Sequence, residues 1–237
     1  DLTKQAFIST VNAGADTVSL ITGAETSRFT VNKYVLVSCV EMQGYGDPPN
    51  LALFEFRKIA SIGVGTLTFT EPLVNTYKST YPNYGDLTLG GPALVYAMAP
   101  EWDQEIELQG AYITDNSNLF YGKTRVAKYT DCVFETYGPC PTANILFRSL
   151  RCTGAGVGGL EVDKCCHRAE FINSMHRAVD FQSASINEMY VENMTQSPNA
   201  RWRGGASKSN IFINLNTTDF SFGVMNYGAM GPTTMTT

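Results

Sequence analysis

The sequence predicts an all-β chain: a right-handed parallel β-helix, wound as a single solenoid, with a small antiparallel β-barrel or sandwich-like domain N-terminal to it or inserted in it. Three observations predict it. The second half repeats one apolar pattern at a period of about twenty residues. The first half alternates short β runs with turns, and nowhere do helical patterns of about 10–15 residues separate the strands, as a doubly wound fold would require.

The bulk composition agrees. Of 237 residues, 43% are hydrophobic and only 16% charged, which describes a packed core and excludes a disordered chain. The 21 Gly, 12 Tyr and 13 Phe favour strands and turns over helices. No stretch reaches the roughly 18 unbroken apolar residues of a membrane span, so no membrane insertion is expected. The formal charge of −5 argues against nucleic acid, which calls for a basic face. Cysteines stand at 39, 132, 140, 152, 165 and 166 with no CxxC pair, and read as reduced thiols filling the core of a protein folded in a cytosol. Asn193-Met194-Thr195 and Asn216-Thr217-Thr218 match the glycosylation pattern but mean nothing in that setting.

Residues 1–14 read as a strand or linker entering the solenoid. Residues 15–85 read as the small antiparallel domain. Its strands are Thr17-Val18-Ser19-Leu20-Ile21, Lys33 to Ser38, Leu53 to Phe56 with Lys58-Ile59-Ala60, and Thr66 to Thr70. Period-two alternation is clearest in the last, and Gly63 and Gly65 mark a hairpin turn before it. Gly44 to Asn50 is a loop, since Pro48 and Pro49 cannot donate to a ladder.

Residues 86–220 read as coils. Apolar residues at offsets 0, +3 and +5 recur as Leu108/Ala111/Ile113, Tyr129/Cys132/Phe134, Phe147/Leu150/Cys152, Cys166/Ala169/Phe171, Ile186/Met189/Val191 and Phe212/Leu215/Thr217. Offsets +3 and +5 share a strand face, while the step from 0 to +3 implies a bend between two short strands. A second run precedes the triplet in Leu160-Glu161-Val162 and Val179-Asp180-Phe181. Leucine-rich repeats share the period but would need Leu-x-x-Leu-x-Leu and a helical outer arm. The glycine run from Gly154 to Gly159 precedes a strand rather than a helix, so it is a wide corner and not a phosphate cradle. Residues 221–237 form a polar segment that does not cap a solenoid, and the chain starts without Met, so the native chain is expected to extend at both ends.

Particular residues also resemble a known family. Gln43-Gly44-Tyr45-Gly46, Pro48-Pro49-Asn50, Phe54-Glu55-Phe56, Thr68 to Leu73, Thr76 to Pro82, Gly90-Gly91-Pro92-Ala93 and Trp102-Asp103 are similar to segments of phage tailspike and tail-fibre proteins of the pectate-lyase-like superfamily. The resemblance covers roughly residues 10 to 110, and the repeat carries it to about 220. It implies a homotrimer in a virion tail, assembled in the host cytoplasm alongside other tail proteins, that recognises a host-surface polysaccharide and in some members depolymerises it. The Asp/Gly-rich head motif and capping helix of that family are absent here. Two other classes stay open: a purely structural β-helical shaft or adaptor, and a free polysaccharide lyase or hydrolase.

Hydrolysis of a glycosidic bond needs two carboxylates roughly 5–10 Å apart. Residues at one offset on adjacent coils stack at about 4.8 Å. Aligning Leu160 with Val179 places Glu161 beside Asp180, and Asp163 beside Gln182, making Glu161, Asp180 and Asp163 the candidate catalytic acids. Two stacked carboxylates repel, which raises one pKa as a general acid requires. Tyr112 and Tyr190, at a shared outward offset, and Trp102 and Trp202, near turns, are candidate sugar-stacking or interface aromatics, of which Tyr112, Tyr190 and Trp202 are taken as substrate-binding. Lyase chemistry would draw on His167 beside Arg168. Arg151 over Glu170 and Arg168 over Glu188 read as ladder ion pairs, with Glu107, Asp131 and Glu192 as further solvated acids. Cys165, Cys166 and His167 are consecutive and point to opposite faces, so no metal and no other cofactor is expected.

Overall fold

The computed structural model describes residues 2–39, 53–80, 92–114, 124–135, 143–154, 165–176, 179–180, 185–196, 202–203, 206–213 and 233–236. The chain divides into two compact units, residues 1–44 with 52–103, and residues 45–51 with 104–237.

The first unit is one antiparallel sheet of β1 (Gln5–Phe7), β2 (Thr17–Ser19), β3 (Tyr34–Ser38), β4 (Phe54–Gly63), β5 (Thr66–Phe69) and β6 (Leu94–Ala97), in the order β1-β6-β3-β4-β5-β2. Its two edges meet. The Ser9 N–H donates to Ser19 O and the Ile21 N–H to Phe7 O, each at 2.9 Å, so the sheet curls on itself. The expected β4–β5 hairpin is present, with Gly65 at φ +68 in its two-residue loop, where only glycine is unstrained. Alternation buries Val35 and Val37 of β3 and Leu67 and Phe69 of β5 in one core with Ile8, Val18, Ile59 and Val95. The sequence groups Leu94–Ala97 with the coils; the strand instead pairs antiparallel with β1 and β3. Trp102, expected at the surface, is 1% exposed: its ring stacks on Phe56 at 5.1 Å and meets Tyr34 edge-on at 5.6 Å.

A buried carboxylate ties this unit together. Glu55 on β4 accepts the Val74 N–H at 2.9 Å and both the backbone and side-chain N–H of Asn75 at 2.7 Å. It is also ion-paired with Arg57, whose guanidinium donates to Pro72 O. Tyr77 lies within the same core, and burial, then the Glu55 charge, push its phenol well above the ordinary range.

The second unit is parallel. Its long strands are β7 (Glu105–Gln109), β9 (Val126–Thr130), β11 (Asn144–Leu150), β13 (Cys165–Ile172), β16 (Ser185–Glu192), β19 (Ala206–Ile213) and β20 (Thr233–Thr236), which form one seven-stranded sheet in that order. Two-residue strands β8 (Tyr112–Ile113), β10 (Val133–Phe134), β12 (Thr153–Gly154), β14 (Met175–His176) and β17 (Thr195–Gln196) form a second sheet, again in chain order. A third pairing joins β15 (Val179–Asp180) to β18 (Trp202–Arg203).

Between each long strand and its short successor stands one residue with positive φ: Gly110, Asp131, Arg151, Asn173 and Asn193. Gly, Asn and Asp tolerate that conformation best. Each corner N–H donates to the last strand carbonyl of the following coil, from Gly110 to Thr130 O at 2.9 Å through Asn193 to Ile213 O at 2.9 Å. The side chains bond along the stack as well: the Asn193 amide donates to Asn173 Oδ1 at 2.8 Å, and Arg151 grips Asp131 through Nε and Nη2 at 2.6 and 2.7 Å.

These corners set the phase, and they correct the sequence alignment. Leu108, Tyr129, Ser149, Phe171 and Val191 stand side by side, with Phe212 next along the sheet. Phe147 therefore lies opposite Ala127 and Ala169, not opposite Tyr129 and Cys166. Leu150 is half-exposed on the outer side, and the inward place is taken by Ser149, whose hydroxyl lies 3.3 Å from that of Ser174. Of the other expected inward residues, Leu215 and Thr217 lie outside the described residues. Tyr129, Cys132, Phe134, Cys152, Cys166, Ala169, Phe171, Ile186, Met189 and Val191 are buried in one core, with Leu108, Ala111 and Ile113 packed against it. The break expected between offsets 0 and +3 falls between β9 and β10 for Tyr129 and Cys132; Cys166 and Ala169 instead lie in one continuous strand, β13, both buried with exposed His167 and Arg168 between them. Cys39, Cys132, Cys152 and Cys166 are buried free thiols, and burial pushes the Cys152 thiol up.

Candidate functional site

Period two turns alternate side chains of the seven-stranded sheet outward, and two neighbouring outward rows carry charged residues. Glu107, Lys128, Arg148, Glu170 and Tyr190 occupy one register row. Arg168 and Glu188 share the row beside it, as the sequence suggests. The expected pairing of Arg151 with Glu170 does not form. The partner facing Glu170 is Arg148, because the true register is displaced by three residues from the apolar template.

Glu170 is the centre of the cluster. Its residue is only 4% exposed although it lies on the outer side of the sheet. Arg148 Nε donates to Oε2 at 2.5 Å and Arg168 Nε to Oε1 at 2.6 Å, so both oxygens are held. The other end of Arg168 donates to Glu188 Oε2 at 3.1 Å. Tyr190, next to Glu170 in register, donates its hydroxyl to Glu192 Oε2 at 2.8 Å. Burial alone would raise the Glu170 carboxyl; the two guanidiniums outweigh it and hold the group below its ordinary value. The bond to Glu192 pushes the Tyr190 phenol up, so Tyr190 serves as a donor, not as a base. His167 lies at the edge of the cluster, with Nδ1 3.2 Å from the Asn187 amide nitrogen and Nε2 4.0 Å from Glu188 Oε1.

The shift of Glu170 carries an acid prediction. Its folded carboxyl binds a proton more weakly than an unfolded one, so its stabilisation is complete above about pH 4.3, the unfolded glutamate value, and is lost as pH falls through the lower folded value. Denaturation midpoints are expected to fall below about pH 4.3 in the wild type, and to fall less in Glu170→Gln. Identical acid profiles for the two would remove Glu170 as the responsible group.

The remaining sequence candidates are scattered. Glu161 and Asp163 lie outside the described residues. Asp180 is in β15 with its backbone opposite Arg203, and Trp202 in β18 is opposite Val179. Tyr112 is 64% exposed, but it belongs to the short-strand sheet while Tyr190 belongs to the long one, so the two do not share a row. Instead Tyr112 lines up with Val133, Thr153, Met175 and Thr195, an uncharged exposed row. Sequence reasoning paired Glu170 with Arg151 and Arg168 with Glu188 as ladder ion pairs and missed Arg148. The signal that finds it is the recurrence of Gly110, Asp131, Asn173 and Asn193, whose left-handed preference fixes the phase.

No protein-family model matches the chain, and no curated protein matches it. Among solved structures the chain is similar to the Gp54 tailspike of Acinetobacter baumannii bacteriophage AP22, determined in complex with A. baumannii capsular saccharide, at 9% identity and TM-score 0.45, covering 92% of this chain and 45% of that one. It is similar to the tailspike protein gp49 from Pseudomonas phage LKA1 at 12% identity and TM-score 0.39, covering 90% and 38%. It is also similar to the Pseudomonas phage phi297 tailspike gp61 at 12% identity and TM-score 0.28, covering 92% and 52%. The chain thus spans about half the length of these tailspikes or less.

Proposed function

We propose that the chain is a segment of a virion tailspike, a parallel β-helix of the pectate-lyase-like kind, that recognises a host-surface polysaccharide on the outer side of its seven-stranded sheet. One observation carries the reading: Arg148, Glu170, Arg168 and Glu188 form a hydrogen-bonded chain spread over three neighbouring coils, with the Tyr190–Glu192 hydrogen bond beside it. Donors, acceptors and a phenol ring held in a row at the strand spacing suit an extended, hydroxyl-rich chain. Glu161, Asp163 and Asp180 remain the proposed acids for any depolymerase step, and Tyr112 and Trp202 further proposed sugar contacts. The uncharged row of Tyr112, Val133, Thr153, Met175 and Thr195 supports side-by-side assembly as a homotrimer within the tail.

The test is incubation of the purified protein with a panel of bacterial surface polysaccharides, followed by affinity retention and size analysis. Retention of at least one polymer is expected, weakened about tenfold or more by Tyr190→Ala, the loss of one well-placed contact of about 1.4 kcal/mol. Release of discrete oligosaccharides would add depolymerase activity, which Glu161→Gln and Asp180→Asn are then expected to abolish. Retention of no polymer would leave the purely structural shaft as the better account.

A further inference from the structure

The charge state of the network points to one class of sugar. Two guanidiniums, Arg148 and Arg168, stand among three carboxylates, Glu170, Glu188 and Glu192. Both guanidiniums are already charge-paired: both Nε atoms are committed to Glu170 and an outer nitrogen of Arg168 to Glu188, so the terminal N–H groups that remain belong to neutralised cations. An acidic sugar meets those terminal N–H groups beside three carboxylates, and it cannot take the Nε positions without displacing a carboxylate that is 4% exposed and held through both oxygens. The flanking strands add no free cation in the described rows, since Lys128 faces Glu107 at 4.0 Å and Arg125 bonds Glu105 at 2.7 Å. An approaching anion therefore meets a surface already neutralised, with a slight excess of negative charge, and loses its hydration without gaining an unpaired cation. A hydroxyl loses little, because it donates to a carboxylate oxygen and accepts from a guanidinium N–H without breaking either ion pair.

We infer that the outer side of the seven-stranded sheet selects uncharged sugar residues and rejects uronic, sialic or phosphorylated ones, and that Glu170 is the residue that sets this selectivity. The inference rests on the glycan-binding reading above and narrows it. It predicts a gain of binding on removing one charge: Glu170→Gln keeps the shape, leaves Arg148 without its carboxylate and Arg168 with Glu188 alone, and shifts the cluster towards an anion site.

The experiment uses an array of bacterial surface polysaccharides sorted by uronic acid, sialic acid and phosphate content, with alginate as a polyuronate probe. Wild-type protein is expected to be retained by uncharged polymers and not by alginate. Glu170→Gln is expected to bind alginate at least tenfold more strongly than wild type, with affinity falling as salt rises. Glu188→Gln, at a half-exposed position that frees only the outer end of Arg168, is expected to gain in the same direction but less, and serves if Glu170→Gln does not fold. Wild-type retention on acidic polymers alone would overturn the inference while leaving glycan binding in place. The absence of any gain in both variants would overturn it too. Retention of no polymer by wild type would remove the glycan reading itself, and this inference with it.

Discussion

Replacing Phe171 with alanine is expected to cost the parallel unit about 3–5 kcal/mol of stability, the range for truncating a fully buried aromatic. Phe171 is 0% exposed, on the inner side of β13 between Ser149 and Val191, with its ring 5.6 Å from that of Phe147. The rings of Tyr129, Phe147 and Phe171 run through three consecutive coils, so the cavity opens in the middle of a column that neighbouring coils cannot close without shifting their own strands. Chemical denaturation is the measurement, read as a lower midpoint with an unchanged slope. The adjacent Ile172, half-exposed on the opposite side of the strand, is the control: Ile172→Ala is expected to cost well under half as much. Equal losses at both positions would mean that the inner and outer sides are wrongly assigned.

The second large effect belongs to the antiparallel unit. Glu55→Ala removes the acceptor of three N–H groups at Val74 and Asn75 and the partner of the Arg57 guanidinium. Arg57 has 13% of its side chain exposed and Glu55 4%, so the change leaves a largely buried charge without its counter-ion and three part-buried N–H groups without their acceptor. The expected cost is about 3–5 kcal/mol, as for breaking other buried pairs. Glu55→Gln keeps one acceptor oxygen and is expected to cost about 1–3 kcal/mol. Thermal unfolding of both variants checks the order. A Gln variant less stable than the Ala variant would show that the loop from Pro72 to Asn75 is held by something other than Glu55.

The parallel repeat was legible because Cys166, Ala169, Phe171, Ile186, Met189 and Val191 are apolar in a fixed spacing, and burial is what apolar spacing reports. It became illegible where polarity and place disagree. Ser149 sits inside and satisfies its hydroxyl through Ser174, while Leu150 sits half outside, so an apolar template slides by three residues at that coil. That slide hid the Arg148–Glu170 contact and suggested Arg151–Glu170 in its place. The pairing of Gln5–Phe7 with Leu94–Ala97 has no local signature either, because strands that meet across some ninety residues share only their alternation. Trp102 misled for a related reason. It follows a turn, where aromatics are often exposed, yet Phe56 and Tyr34 supply it with a closed aromatic box that no local pattern announces.

The left-handed corners also define a unit of exchange. Among the described residues the distance from each corner to the short strand that follows is the same in all five repeats, and each corner N–H bonds the next repeat in the same way whether it is Gly, Asp, Arg or Asn. A stretch cut just after Asn173 and just after Asn193 is thus a cassette with matching ends. Removing or duplicating it rejoins like with like and leaves every downstream residue facing the side it faced before. A cassette one residue longer at the corner would turn the short strand inside out. A stack of this kind gains or loses length in whole repeats, because the corner geometry fixes the unit.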